Sequence, residues 1–202
     1  MRGYFGIGVE GINKPMNLGG LLRTAHAFGA AFVFTVGATY GRGEGGLADT
    51  SDTPGQVPFY DFPDVRSLLL PKGCELVGIE LLDQATELPS FRHPRQAAYV
   101  LGPERGSLSE ELLARCAFTV KIPTSFCVNL GIAGAITMYD RLINLSRFAA
   151  RPVSPLGKPE PLAPHLFGDP KIGQRMEKFR QSPALEPVGE SPAREAVREE
   201  ET

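Results

Sequence analysis

Short β-like runs alternate with amphipathic stretches through the first 150 residues, and few architectures tolerate that order. Apolar runs of this length, each followed by a segment with helical periodicity, are the pattern of an α/β domain built on a largely parallel sheet. The runs read as strands are "YFGIGV", "AFVFTVG", "CELVGIEL", "AAYVLG" and "AFTVKI". Helices are expected between them at 17–28, 61–70, 108–115 and 129–148. The stretch 38–56 has no apolar period and is rich in Gly, Asp and Thr, so it is expected to be a long exposed loop.

The pattern stops near Ala150. Nine of the 18 prolines lie between Pro152 and Pro192, and the chain ends in the charged run "REAVREEET". The expected organisation is therefore one domain over 1–150 and a Pro-rich, charged, mostly disordered tail over 151–202, with a short helix near "KIGQRMEKFRQ". No internal repeat is visible. With 202 residues and 42% hydrophobic content the chain is long enough to bury a sizeable core. No run of 18 apolar residues exists, and "MRGYFGIGVEG" lacks the apolar core and cleavage site of a secretion signal, so a cytoplasmic location is expected. Three cysteines without a C-x-x-C pair favour neither a disulfide framework nor a zinc site. A net charge of -2 means that a nucleic-acid partner would have to meet a local basic patch, for which Lys14, Arg23, Arg42, Arg92, Arg95, Arg105 and Lys121 are available.

Two G-x-G-x-x-G matches, Gly6 to Gly11 and Gly41 to Gly46, suggest a dinucleotide site at first sight. Such a site needs a glycine turn that delivers backbone N–H groups at the start of a helix. The first match begins inside a strand and is followed by Pro15, and the second runs into "LADTSDTPG", so neither supplies that turn. A nicotinamide-dependent oxidoreductase is accordingly disfavoured.

Three other segments carry more. In "NKPMNLGGLLRTAHAFGA" Asn17 is a natural helix cap, Leu21, Leu22, Ala25 and Phe28 form an apolar stripe, and Arg23 has room to snorkel to solvent. Two glycines in the first turns cost about 1 kcal/mol each relative to alanine, which points to a close approach to that backbone. In "YVLGPERGSLSEELLARC" a strand runs into a glycine turn and then into a helix capped by Ser107 or Ser109, the place where open α/β sheets bind ligands. In "VKIPTSFCVNLGIAGAITMYDRLINL" Pro123 ends a strand, Asn129 caps a helix, and Gly131, Ala133, Gly134 and Ala135 leave its start almost without side chains. A ligand, a threaded loop or a partner helix could use that surface.

Together, N-x-x-x-N-x-G-x-x-x-R, L-G-P-E-R-G-S-L-S and I-P...N-x-x-x-A, in this order over about 150 residues, resemble the three motifs of the SpoU/TrmH branch of the SPOUT RNA methyltransferases. The resemblance implies a SPOUT α/β-knot, a deep trefoil in a mostly parallel sheet flanked by helices, which no spacing or propensity rule would suggest. It implies S-adenosylmethionine bound in the knotted region, an RNA substrate, tRNA ahead of rRNA, methylated on a ribose 2'-hydroxyl, a homodimer, and no metal. Carried over by motif, the catalytic residues are Asn17, Arg23, Glu104 and Asn129. The cofactor is expected at Gly102, Glu104, Gly106, Ile122, Pro123, Val128 and Asn129. Arg23 acts either as the proton acceptor for the hydroxyl, together with a substrate phosphate, or as an electrostatic stabiliser of the developing alkoxide. Two departures stand out: Cys127 and Gly131 occupy positions where the family often has serine, and the loop from Pro123 to Asn129 is short. A non-catalytic RNA-binding or ribosome-assembly protein with the same fold is the alternative reading.

Overall fold

A computed structural model describes residues 3–39, 57–103, 106–162 and 185–187. The elements in chain order are β1 (Tyr4–Glu10), α1 (Pro15–Ala27), β2 (Phe32–Val36), β3 (Phe59–Phe62), β4 (Leu69–Pro71), β5 (Glu75–Ile79) and β6 (Thr86–Glu87). A 3₁₀ turn (Leu88–Ser90), β7 (Gln96–Leu101), α2 (Glu110–Arg115), β8 (Phe118–Lys121), α3 (Leu130–Leu145) and β9 (Leu185–Pro187) follow. Seven strands form one sheet in the order β3-β2-β1-β7-β5-β8-β6, and every pairing in it is parallel. The expected class, a mostly parallel sheet flanked by helices, is what the chain forms.

Side-chain alternation along the strands divides the core into two layers. Phe5, Ile7 and Val9 of β1, Ala97, Tyr99 and Leu101 of β7, and Val77 and Ile79 of β5 face one way, where Leu18, Leu21, Leu22 and Ala25 of α1 and Leu130, Ala133 and Met138 of α3 cover them. Phe32, Phe34 and Val36 of β2, Ala98 and Val100 of β7 and Leu76 of β5 face the other way, against Leu108, Leu112 and the 62–70 segment. Strands covered on both faces need not alternate polar with apolar residues, and all five residues of β2 are buried.

The register explains the glycines of β1. Gly6 pairs with Phe32 and Gly8 with Phe34. A Cβ at Gly6 would come within 2.2 Å of the Phe32 ring, and one at Gly8 within 2.6 Å of the Phe34 ring. These glycines let two phenylalanine rings lie across the central strand, so "GIGVEG" is a packing device. Similarly, Gly134 of α3 would carry a Cβ 2.7 Å from Leu21 and 3.4 Å from Ile7. The small-residue start of α3 is thus occupied in part by α1 and β1.

Several boundaries differ from the sequence expectation. The first helix starts at Pro15, with Lys14 as its N-cap and no side-chain cap bond, so Asn17 lies inside the first turn and does not cap it. Pro15 begins the helix it was expected to delay, because proline at the first helical position lacks only an N–H that has no intrahelical partner. The helix expected at 61–70 does not form. There β3 ends at Phe62, and Asp64 and Ser67 close a turn in which the Asp64 carboxylate accepts the Ser67 N–H at 2.8 Å and the Ser67 hydroxyl donates to the Asp64 carbonyl at 2.8 Å. Short polar side chains that bond to local backbone compete with a helix, and that competition wins here. Helices α2 and α3 begin one to two residues later than expected and α3 ends earlier, capped by Ser109 and Asn129. Residues 40–56 of the long loop and the helix suggested near 171–181 lie outside the described residues. Beyond Ala150, residues 151–162 are exposed, and β9 pairs antiparallel with β4.

At the amino ends of the strands, Arg141 of α3 is completely buried. Its guanidinium donates to the carbonyls of Pro94 at 2.6 Å, Arg95 at 2.9 Å and Tyr4 at 3.0 Å, and to the Tyr99 hydroxyl at 3.0 Å. The Phe5 and Tyr99 rings lie 5.3 and 5.8 Å from it. His93 continues the network, with Nδ1 2.6 Å from the Tyr99 hydroxyl and Nε2 2.8 Å from the Asp140 carboxylate. One helix is thereby tied to the edges of β1 and β7.

Candidate active site

The opposite edge of the sheet is open. Where β5, β7 and β8 end, their following loops and the first turns of α1 and α3 enclose a cavity of about 390 Å³. Its wall is Ile79, Glu80 and Leu81 after β5, Leu101, Gly102, Pro103 and Gly106 after β7, and Ile122, Thr124, Cys127 and Val128 after β8. Lys14 and Asn17 of α1 and Asn129, Leu130 and Ala133 of α3 complete it. Binding at the carboxyl edge of a parallel sheet is the general expectation for this topology. The volume lies in the range of about 300–1,000 Å³ typical of small-molecule sites.

Local chemistry fixes this wall. Gly106 has φ of 114°, a conformation open to glycine and few other residues. At Gly102 a Cβ would approach Glu80 Oε2 to 3.1 Å and the Leu108 amide to 3.2 Å, so a side chain there would press on both. The Glu80 carboxylate accepts the Leu81 N–H at 3.0 Å and the Leu108 N–H at 2.8 Å. Next to it, Glu10 at the end of β1 accepts the Ser109 N–H at 2.7 Å and the Ser109 hydroxyl at 2.5 Å. Two carboxylates at strand ends thus take up the backbone donors that lead into α2. After β8, the Thr124 hydroxyl donates to the Phe126 carbonyl at 2.9 Å, which folds the short loop back toward Asn129. Asn129 accepts the Gly131 N–H at 2.9 Å, capping α3 with its own side chain at the cavity.

Of the residues expected in the site, Asn17, Gly102, Gly106, Ile122, Val128 and Asn129 line this one cavity. Pro123 lines an adjoining depression of about 420 Å³ with Leu81, Lys121 and Thr124. Glu104 lies outside the described residues. Arg23 is exposed on α1 and is not part of the wall. It stands about 9 Å farther along the helix axis than Asn17, at 1.5 Å per residue. The basic residues considered as a patch divide as well: Lys14 is at the cavity, whereas Arg95 directly precedes β7 at the opposite edge. Glu80 was missed among the site residues, although a carboxylate directly after the apolar run Leu76 to Ile79 of "CELVGIEL" was a visible signal. None of the described helices is long and apolar enough to cross a membrane.

An open, all-parallel α/β sheet with a cavity of small-molecule size at its carboxyl edge, walled by residues of the three motif segments, has the architecture of an α/β domain that binds a small molecule. Residues 5–139 match the model of the SpoU rRNA Methylase family, and the chain belongs to that family. It is 29% identical over 138 residues to the mouse tRNA (guanosine(18)-2'-O)-methyltransferase TARBP1, covering 64% of this chain and 9% of that protein. It is 26% identical over 142 residues to the tRNA (guanosine(18)-2'-O)-methyltransferase of Thermus thermophilus, covering 65% and 71% of the two chains. Among solved structures, the AdoMet-bound rRNA methyltransferase from Sinorhizobium meliloti superposes with a TM-score of 0.60 at 22% identity, over 73% of this chain and 59% of that one. This last likeness is one of fold.

Proposed function

We propose that the chain is an S-adenosylmethionine-dependent RNA methyltransferase acting on a ribose 2'-hydroxyl, with tRNA favoured over rRNA as the substrate. The observation that carries the reading is that Lys14 and Asn17, Leu101 to Pro103 with Gly106, and residues between Ile122 and Ala133, distant in sequence, wall one cavity of small-molecule size. The mouse and Thermus relatives, both tRNA methyltransferases by name, support the choice of tRNA.

The cavity fits the cofactor on its own chemistry. Gly102 and Gly106 keep the backbone bare, Leu101, Ile122, Val128 and Leu130 supply apolar contact, and Glu80 and Asn129 supply polar groups. When bound, S-adenosylmethionine supplies a methyl group on a sulfonium, and its transfer needs no metal. The residues have to bring the hydroxyl to that methyl and accept its proton as the bond forms. Asn17 and Asn129 share the cavity wall and can orient a nucleotide above it. Arg23, carried by α1 beyond that wall, is the planar donor that holds the target phosphate; the hydroxyl proton passes either to Arg23 acting with that phosphate, or to solvent while Arg23 stabilises the developing alkoxide. Glu104 enters the same proposal through its place in the second motif alone.

The same reading takes the chain as a homodimer whose path is knotted as in its family, with residues 1–150 as the methyltransferase domain and 151–202 as an appended tail. In its support, α3 turns Ile132, Tyr139 and Ile143 outward, and all three are exposed, as is Met16 of α1. The test is a transcriptome-wide map of 2'-O-methylation in cells with and without the protein, followed by transfer assays on the identified RNA. Arg23→Lys is expected to bind S-adenosylmethionine normally and to transfer at least about 10²-fold more slowly, as for loss of one preorganised donor. Unchanged methylation together with RNA binding and no cofactor affinity would establish the non-catalytic alternative.

A further inference from the structure

We propose that Glu80 binds the ribose hydroxyls of the nucleoside held in the cavity. The assignment rests on reading the cavity as the S-adenosylmethionine site. Glu80 is the first residue after β5, and among the described residues of the wall it is the one carboxylate. Its position is fixed from two sides, Oε1 by the Leu81 N–H at 3.0 Å and Oε2 by the Leu108 N–H at 2.8 Å. The bare Cα of Gly102 lies against it, since a Cβ there would come 3.1 Å from Oε2.

An ionised carboxylate has about four acceptor sites and no donor. Two are filled by backbone, which leaves about one on each oxygen of a carboxylate that lines the cavity. A vicinal diol offers two neighbouring O–H donors at that spacing. The two backbone N–H groups also temper the charge of Glu80, which suits it to neutral hydroxyls better than to an ammonium group. An acidic residue beside the glycine turn at the carboxyl edge of a parallel sheet performs this task in unrelated dinucleotide folds, and the same physical demand exists here. Glu80 is thus a binding residue, separate from the groups proposed to act on the target hydroxyl.

The experiment is calorimetric titration of the full chain with S-adenosylhomocysteine and with its 2'-deoxy and 3'-deoxy forms, which needs no variant. The parent is expected to bind at least one deoxy form about 10- to 100-fold more weakly, as for hydrogen bonds to a charged acceptor. Glu80→Gln, checked by thermal melting because Leu108 also relies on this side chain, is expected to bind S-adenosylhomocysteine weakly and to lose the preference for hydroxyls. A parent indifferent to the hydroxyls, or a folded Glu80→Gln with the parental preference, overturns the assignment. An analogue lacking the amino group that binds poorly to the parent but not to Glu80→Gln overturns it in favour of ammonium recognition. A folded parent that binds none of these compounds refutes the cofactor reading itself, a result distinct from failure of the Glu80 assignment.

Discussion

Replacing Arg141 with methionine tests whether the buried guanidinium holds the domain together. The substitution keeps an unbranched apolar stem and removes every donor. Of the four acceptors, the Arg95 carbonyl keeps a partner, because it also receives the Tyr4 N–H at 2.9 Å, and the Tyr99 hydroxyl keeps His93 Nδ1 at 2.6 Å. The Pro94 and Tyr4 carbonyls and the Tyr99 hydroxyl each lose a bond from Arg141. An acceptor left without its donor costs about 1–3 kcal/mol when buried. Relief from burying a cation and better apolar contact with Phe5 offset part of that sum. The expected loss is therefore about 2–4 kcal/mol. For a chain of this size it corresponds to a fall in Tm of roughly 4–16 °C, at about 2–4 °C per kcal/mol. Denaturant titration and calorimetry measure it. S-adenosylmethionine affinity at a temperature where the variant is folded should match the parent, because the cavity is at the other edge of the sheet. A loss below about 1 kcal/mol would refute the network as a stabilising element.

Two further expectations address the glycines and the histidine. Gly6→Ala should destabilise by at least about 1–3 kcal/mol through overpacking against Phe32, whereas Gly20→Ala, with nothing within 4 Å of the new Cβ, should stabilise α1 by about 0.5–1 kcal/mol; paired melts decide, and equal responses would contradict the packing described. His93 is held below its ordinary value near 6.5, because burial outweighs the attraction of Asp140. Between that lowered value and about 6.5 the unfolded chain binds more protons than the folded one, so stability rises with pH across this window and falls as acid is added through it. His93→Gln should flatten the Tm profile between about pH 5 and 7, and an unchanged profile would assign the dependence to other groups.

β1, β2, β5 and β7 were legible in the sequence because each is an apolar run buried on both faces, and β8, buried mainly at Val120, still falls where the run "AFTVKI" is. The segment 61–70 was misread for a specific reason. Its apolar residues Phe62, Val65, Leu68, Leu69 and Leu70 have a helix-like spacing, but the Asp64–Ser67 turn, with Pro63 beside it, decides the backbone first. The cavity was legible as three motif segments and not as a shape, since only the fold brings Asn17, Gly102 and Asn129 together. Arg141 was not legible at all. It sits in "MYDRLINL", where an arginine reads as a solvent-facing helical residue, and its partners are mainly backbone carbonyls that no sequence pattern announces.

The interior position of β1 in the sheet sets the order in which this chain can be made. Its two neighbours are β2, which follows closely, and β7, whose Gln96 pairs with Tyr4 across 92 residues of sequence. On a ribosome adding about 5–20 residues per second, β1 waits roughly 5–20 s for that neighbour. The clamp on the Tyr4 carbonyl arrives only with Arg141, 137 residues downstream. Until then an apolar strand with a bare edge is exposed to whatever surrounds the ribosome, the condition in which edge pairing and aggregation compete with folding. Nascent chains stopped before residue 96 are expected to associate with holdase chaperones, and release should coincide with emergence of α3 rather than with that of any earlier element.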